Sequence, residues 1–182
     1  MHDTLGGRMA GLVLLAKRKS PEIAEHLQSS LNDLRSIMDT LQANQPLNLE
    51  DAIHNFQAGL TPWLHSHNLT SQWHVSVDPH TSLSEAHQQT WLTSLFQGLH
   101  EVVNNSVQHA NAQSMQFSFI HNANQPLHIT ITDNGIGIED IAAALAKNRG
   151  LAGLKLRIYE LGGSLSVNSG QGFTVIIILP LP

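Results

Sequence analysis

The hydrophobic period changes once along this chain, and that change limits what it can fold into. Before Ala43 the apolar residues keep heptad spacing. Leu5, Met9, Leu12 and Ala16 lie 4, 3 and 4 apart, and Leu27, Leu31, Leu34, Met38 and Leu41 lie 4, 3, 4 and 3 apart. Such seams belong to helices that pack on other helices. Between them, Ser20-Pro21-Glu22 supplies an N-cap, a proline at the first helical position and an acid in the first turn. Residues 1–43 are therefore expected to form a helical hairpin. Two stripes bury too little for an isolated domain, and a homodimer closing a parallel four-helix bundle would cover them.

After Ala43-Asn-Gln-Pro-Leu-Asn48, a linker pattern with its boundary set at 44–48, the period alternates between helix and strand. Residues 49 to 68 read as a helix broken near Pro62. Trp73, Val75 and Val77 alternate as in a strand. Residues 83–109 read as one long helix. Met115 to Ile120 and Leu127 to Asp133 are strands joined by a hairpin, Leu151 to Gly163 is a helix stopped by glycines, and two closing strands follow. This order over 49–182 predicts an α+β sandwich, a mixed sheet with helices on one face.

Composition removes whole classes of function. The chain has 182 residues and no cysteine, so disulfides, thiolate catalysis and cysteine zinc sites are excluded. A formal charge of −5 argues against general nucleic-acid binding. No apolar run spans a bilayer and no signal peptide is visible, so the expectation is a cytoplasmic chain that makes no membrane contact itself. The twelve histidines include His65-x-His67, but no third ligand is near in sequence, and scattered surface imidazoles are the simpler reading.

Three stretches carry chemistry. In His100-Glu-Val-Val-Asn-Asn-Ser-Val-Gln-His109, residues Glu101, Asn105 and His109 share one helical face. An amide oxygen can ligate magnesium directly. Glu101, one turn earlier, can hold a metal-bound water or polarise a nucleophile; packing explains His109 as well as a ligand does. In Ile131-Thr-Asp-Asn-Gly-Ile-Gly-Ile138, Asp133 ends a strand and Gly135 and Gly137 follow. A strand-end carboxylate can accept a hydrogen bond from an exocyclic amine such as adenine's, and glycine lets backbone approach a ligand. An ordinary turn uses the same residue types. In Arg149-Gly-Leu-Ala-Gly-Leu-Lys-Leu-Arg157, Gly150 and Gly153 open a helix beside Lys155 and Arg157, a composition that suits phosphates. No basic residue lies between Arg35 and Lys147, so Lys147 to Arg157 is expected to form a mobile lid over an anionic ligand. A capped flexible loop with solvated cations is the plainer alternative.

In this order the three stretches resemble the N, G1 and G2 boxes of the GHKL ATPase superfamily. Together with Met1-His-Asp-Thr-Leu-Gly-Gly7 and Leu31-Asn-Asp-Leu-Arg-Ser-Ile-Met-Asp-Thr-Leu41, they resemble the cytoplasmic core of sensor histidine kinases that signal to NarL-type response regulators. The resemblance implies a Bergerat-type ATP-binding sandwich over 49–182, behind dimerisation and phosphotransfer helices over 1–43. It implies ATP and Mg2+ as cofactors, a homodimer, and a NarL-type regulator as partner. It makes His2 the phosphoacceptor, Asp3 its neighbouring acid/base, and Glu101 a third catalytic group. Asn105 becomes the metal ligand and, with His109, Asp133, Gly135, Gly137, Gly150, Leu151, Gly153, Lys155 and Thr174, part of the nucleotide site. Related kinases often carry Gln or His five positions after the acceptor; Gly7 stands there, which leaves phosphatase activity open. An acceptor at residue 2 lacks its upstream helical turns, so the chain is expected to be part of a longer receptor anchored at an inner membrane.

Two other functions fit parts of this pattern. Another GHKL ATPase would leave the heptad hairpin and His2-Asp3 without a role. A non-catalytic nucleotide-binding dimerisation module would bind ATP without transferring phosphate. The seam itself is testable. Leu34→Asn places a polar group in the bundle core at a cost of about 1–3 kcal/mol per chain. Sedimentation should then show monomers that still bind ATP; loss of ATP binding along with the dimer would contradict the division at 44–48.

Overall fold

The structure, a computed structural model, describes residues 48–79, 81, 83, 85–139, 141 and 149–181. The expected helical hairpin, the His2-Asp3 pair and Lys147 lie outside the described residues. Helix α1 (Leu49–Ser66) is followed by β1 (Thr70–Val77) and α2 (Glu85–His109). Then come β2 (Ser114–His121), β3 (Leu127–Asp133), α3 (Arg149–Glu160), β4 (Ser164–Gly170) and β5 (Gly172–Leu179). The expected order of elements is the order found.

The five strands form one mixed sheet in the order β1-β2-β3-β5-β4. Only β1 and β2 run parallel, with Thr70 opposite Ser114 and Val77 opposite His121; every other pair is antiparallel. Alternation sets the faces. Met115, Phe117 and Phe119 of β2, Leu127, Ile129 and Ile131 of β3, and Val175, Ile177 and Leu179 of β5 are buried. The intervening residues are half-buried or exposed and carry no charge on any strand except at Asp133, which lies on the buried side.

The helices cover that buried side. Phe96 of α2 stacks on Phe56 of α1 with ring centroids 4.6 Å apart, and Phe56 meets Trp73 of β1 edge-on at 6.2 Å. Trp73 stacks on Phe117 of β2 at 4.0 Å. Four aromatic rings thus join two helices to two strands. Helix α3 packs on α2 where Gly98 leaves room: a Cβ there would lie 2.5 Å from Leu154 Cδ1.

Two local features differ from the sequence expectation. The residue that closes the linker, Asn48, is the N-cap of α1, its Oδ1 accepting the Asp51 N–H at 2.7 Å. Pro62 does not end the helix, which runs on to Ser66. Leu60 and Leu64 on either side are buried, whereas Pro62 and Ala58 are exposed. The carbonyl that loses its donor to proline therefore reaches water, and core packing carries the helix through.

Phe56→Ala would empty the centre of the aromatic row. A loss of about 3–5 kcal/mol is expected, read as a lower urea midpoint for the cooperative transition.

Candidate functional site

Three elements converge at one end of the sheet. β3 ends there at Asp133, β5 begins there at Gly172, and α2 ends there, because the Ala110 carbonyl accepts the Ile136 N–H at 2.9 Å. Asn111 follows α2 with φ 50°, a left-handed residue that stops the helix and turns the chain into β2.

Asp133 is 2 % exposed and is the centre of this region. Its Oδ1 accepts the Gly135 N–H at 2.9 Å and the Phe173 N–H at 3.2 Å. Its Oδ2 accepts the Ser106 hydroxyl at 2.7 Å. One carboxylate therefore ties its own turn, strand β5 and helix α2 together. Three of roughly four acceptor positions are filled, which leaves about one for a further donor.

The turn after Asp133 is held by its neighbours. Asn134 Oδ1 accepts the N–H groups of Gln113 and Ser114 at 2.8 and 2.9 Å. Gly135 passes so close to α2 that a Cβ would lie 2.2 Å from the Ala110 carbonyl oxygen. Gly137 has φ +72°, in the left-handed region, and the Ser169 hydroxyl accepts the Ile138 N–H. Both glycines picked out in the sequence are thus required by this backbone. A third, Gly172, has φ +100° and faces the Asp133 carbonyl oxygen, where a Cβ would lie at 2.0 Å.

On α2, Glu101 and Asn105 are half-buried one turn apart, and His109 is exposed in the last turn. The Asn105 Nδ2 is buried and has no hydrogen-bond partner. Helix α3 runs away from this end, because β4 starts opposite Ile178 at the far edge of the sheet. Its first turns, with Gly150, Leu151 and Gly153, therefore lie towards Asp133. Nothing lies within 4 Å of where a Cβ of Gly153 would be. Leu151 is buried, as core rather than as open lining.

Two expectations are corrected. Thr174 is not part of the Asp133 cluster. It alternates with Phe173 along β5, and its hydroxyl pairs with Thr132 Oγ1 at 3.1 Å on the side of the sheet opposite the described helices. The contribution of β5 is the Phe173 backbone N–H. Nor is the basic segment one mobile lid up to Arg157: Lys155 and Arg157 stand on the ordered helix α3, Lys155 exposed and Arg157 half-buried. Ser106 was not singled out in the sequence, although it lies in the same stretch, one residue after Asn105. A cavity of about 710 Å³ lies at the opposite end of the sheet, lined by Asp78, His121, Gln125, Pro180 and neighbouring loop residues, and holds none of these groups.

This geometry coincides with a known family. The model of the histidine kinase-, DNA gyrase B- and HSP90-like ATPases matches residues 92–182, half of the chain. The chain belongs to that ATPase family, which makes ATP the implied ligand. It is 25 % identical over its whole length to sensor histidine kinase YxjM of Bacillus subtilis, covering 45 % of that protein. It is 28 % identical over 90 % of its length to the signal transduction histidine-protein kinase/phosphatase UhpB of Salmonella typhimurium, covering 31 % of it. The chain thus spans less than half the length of either curated relative. The histidine kinase domain of the Erythrobacter litoralis EL346 blue-light activated kinase has the same fold, at TM-score 0.63 and 20 % identity, over 94 % of this chain and 85 % of that one. Acinetobacter baumannii histidine kinase AdeS is similar at TM-score 0.61 and 18 % identity, over 98 % of this chain and 94 % of that one. Among the described residues no helix is long and apolar enough to cross a membrane.

Ser106→Ala would remove the α2 donor and leave the Asp133 Oδ2 buried without it. A cost of about 1–3 kcal/mol is expected, read by thermal unfolding. Ser106→Thr keeps the hydroxyl and should recover part of that loss.

Proposed function

We propose that this chain is the core of a two-component sensor histidine kinase, which phosphorylates its own His2 from ATP and passes the phosphoryl group to an aspartate of a NarL-type response regulator. The observation that carries the reading is the Ser106–Asp133 hydrogen bond. It fixes the helix bearing Glu101 and Asn105 against the strand-end acid, so both chemical halves of a nucleotide site share one frame. The sequence relatives named as histidine kinases support the kinase branch of the family over its other branches.

In this reading Asp133 uses its remaining acceptor capacity for the exocyclic amine of adenine, and Gly135 and Gly137 line the base. Gly150, Leu151 and Gly153 bring the first turns of α3 towards the phosphates, where backbone N–H groups favour anions. Lys155, exposed about one turn further along that helix, adds a positive charge towards the phosphates.

The donor set fits magnesium. The amide of Asn105 has a buried end without a partner, and its oxygen and nitrogen are told apart only by their partners. Turned about χ2, the unpartnered end is an oxygen of the kind a hard cation takes. No group of three His, Cys, Asp or Glu side chains gathers among the described residues, so phosphate and water would complete the shell. Bound there, the cation would neutralise charge on the phosphates.

The transfer is a displacement at the γ-phosphorus. A ring nitrogen of His2 forms the new N–P bond, the bond to the ADP oxygen breaks, and the imidazole proton passes to a carboxylate, Asp3 or Glu101. The chain acts as a homodimer through its N-terminal helices, in the cytoplasm, as part of a membrane-anchored receptor.

Labelling with γ-labelled ATP tests the reading. The label should be acid-labile and alkali-stable, and should vanish in His2→Ala while ATP binding survives. Asp133→Asn should weaken ATP binding by about tenfold, ~1.4 kcal/mol. Binding without label would favour the non-catalytic module. ATP hydrolysis without label would favour another GHKL ATPase.

A further inference from the structure

The turn that follows Asp133 keeps one backbone donor unused. Its N–H groups are taken in order: Asn134 by the Ser114 carbonyl, Gly135 by Asp133 Oδ1, Ile136 by the Ala110 carbonyl and Ile138 by Ser169 Oγ. Among the described residues nothing accepts from the Gly137 N–H. Gly137 is also the left-handed residue of the turn, with φ +72°. Glycine has more conformational freedom to lose than any other residue. A ligand that reads this backbone therefore binds well only where the protein has already fixed it.

Ser169 holds the far end of that turn. Along β4, Leu165, Val167 and Ser169 stand opposite Ile177, Val175 and Phe173, all three buried. A hydroxyl thus takes the third place in an apolar stripe, where it needs a partner. The Ile138 N–H, one residue beyond Gly137, is that partner. The packing is close. A Cβ on Gly137 would lie 2.7 Å from Ser169 Oγ, 2.8 Å from the Gly170 carbonyl oxygen and 3.0 Å from that of Gly172. The near end of the turn is held by the side chains of Asp133 and Asn134. Among the described residues Ser169 is the one side chain that anchors the far end.

We propose that Ser169 is a positioning residue for nucleotide binding, acting through Gly137, whose backbone it holds in place to meet the base. It does so within the ATP site proposed above, on which this assignment rests. Strand β5 steadies the acid through the Phe173 N–H, and β4 steadies the turn through Ser169. One hairpin then sets the distance between the acceptor, Asp133, and the unused donor, Gly137.

Titration of the full chain with ATP tests the assignment. Ser169→Ala should bind ATP about fivefold more weakly, the size expected of one lost hydrogen bond. Ser169→Thr keeps the hydroxyl and should recover most of that loss. Asn168→Ala, an exposed control on the other side of β4, should bind as the parent does. Amide hydrogen exchange at Ile138, measured well below the unfolding transition, should quicken in Ser169→Ala and slow again in Ser169→Thr. Faster exchange at Ile138 with unchanged ATP affinity would overturn the positioning role. Unchanged exchange would remove the hydrogen bond on which that role stands. Ser169→Cys keeps the size of the side chain but weakens the acceptor, and it carries the same test if Ser169→Ala does not fold: parent-like ATP binding there counts against Ser169. Asp133→Asn in the same titration separates the two readings. If it weakens ATP binding and Ser169→Ala does not, Ser169 alone fails. If neither does, the ATP site fails and the role of Ser169 with it.

Discussion

A carboxylate with almost no access to water must be held by donors, and Asp133 shows how much structure that requirement organises. Desolvating an ionised acid is costly unless hydrogen bonds replace the water. The replacements come from three separate segments: the hydroxyl of Ser106 on α2, the N–H of Gly135 in the following turn, and the N–H of Phe173 on β5. Helix, turn and strand cannot drift apart without stripping a donor from the charge. The close passages follow from it. Gly172 must lack a Cβ because β5 comes in against the Asp133 carbonyl, and Gly135 must lack one because the turn is drawn onto Ala110.

The aromatic row does the complementary task at a distance from the charge. Phe96, Phe56, Trp73 and Phe117 fix α1 and α2 over the parallel edge of the sheet. With its far part anchored by apolar packing and its end anchored by Ser106, α2 presents the residues between, Glu101 and Asn105, in a fixed rotation. A site built on a helix pinned at two points is held more closely than one built on loops.

The fold was legible where period and chemistry agreed. Val75 and Val77, then the alternating β2, β3 and β5, gave the strands, and the Asp133-x-Gly135-x-Gly137 spacing gave the turn that the backbone requires. What was not legible depended on tertiary context. Pro62 carries a strong local stop signal that buried Leu60 and Leu64 override. Thr174 has the right composition for a phosphate or base contact but the wrong parity, and only the strand register tells which side of the sheet it takes. The Phe173 donor is a backbone group, invisible to any reading of side chains. Ser106 was within reach: a small hydroxyl on the buried stripe beside Val102 and Val103 needs a partner, and a strand-end Asp nearby in the fold is a natural one.

The basic cluster needed the same discrimination between faces. Read along the chain, Lys147, Arg149, Lys155 and Arg157 form one patch; wound onto α3, the last two separate by rotation from the first turn. Glycines and backbone N–H groups lie at the end nearest Asp133, while Lys155 projects outward beside Leu156 and Tyr159. At 1.5 Å of rise per residue, Lys155 stands about 6 Å along the axis from Leu151, so its charge stays within about one screening length of an anion at the helix start.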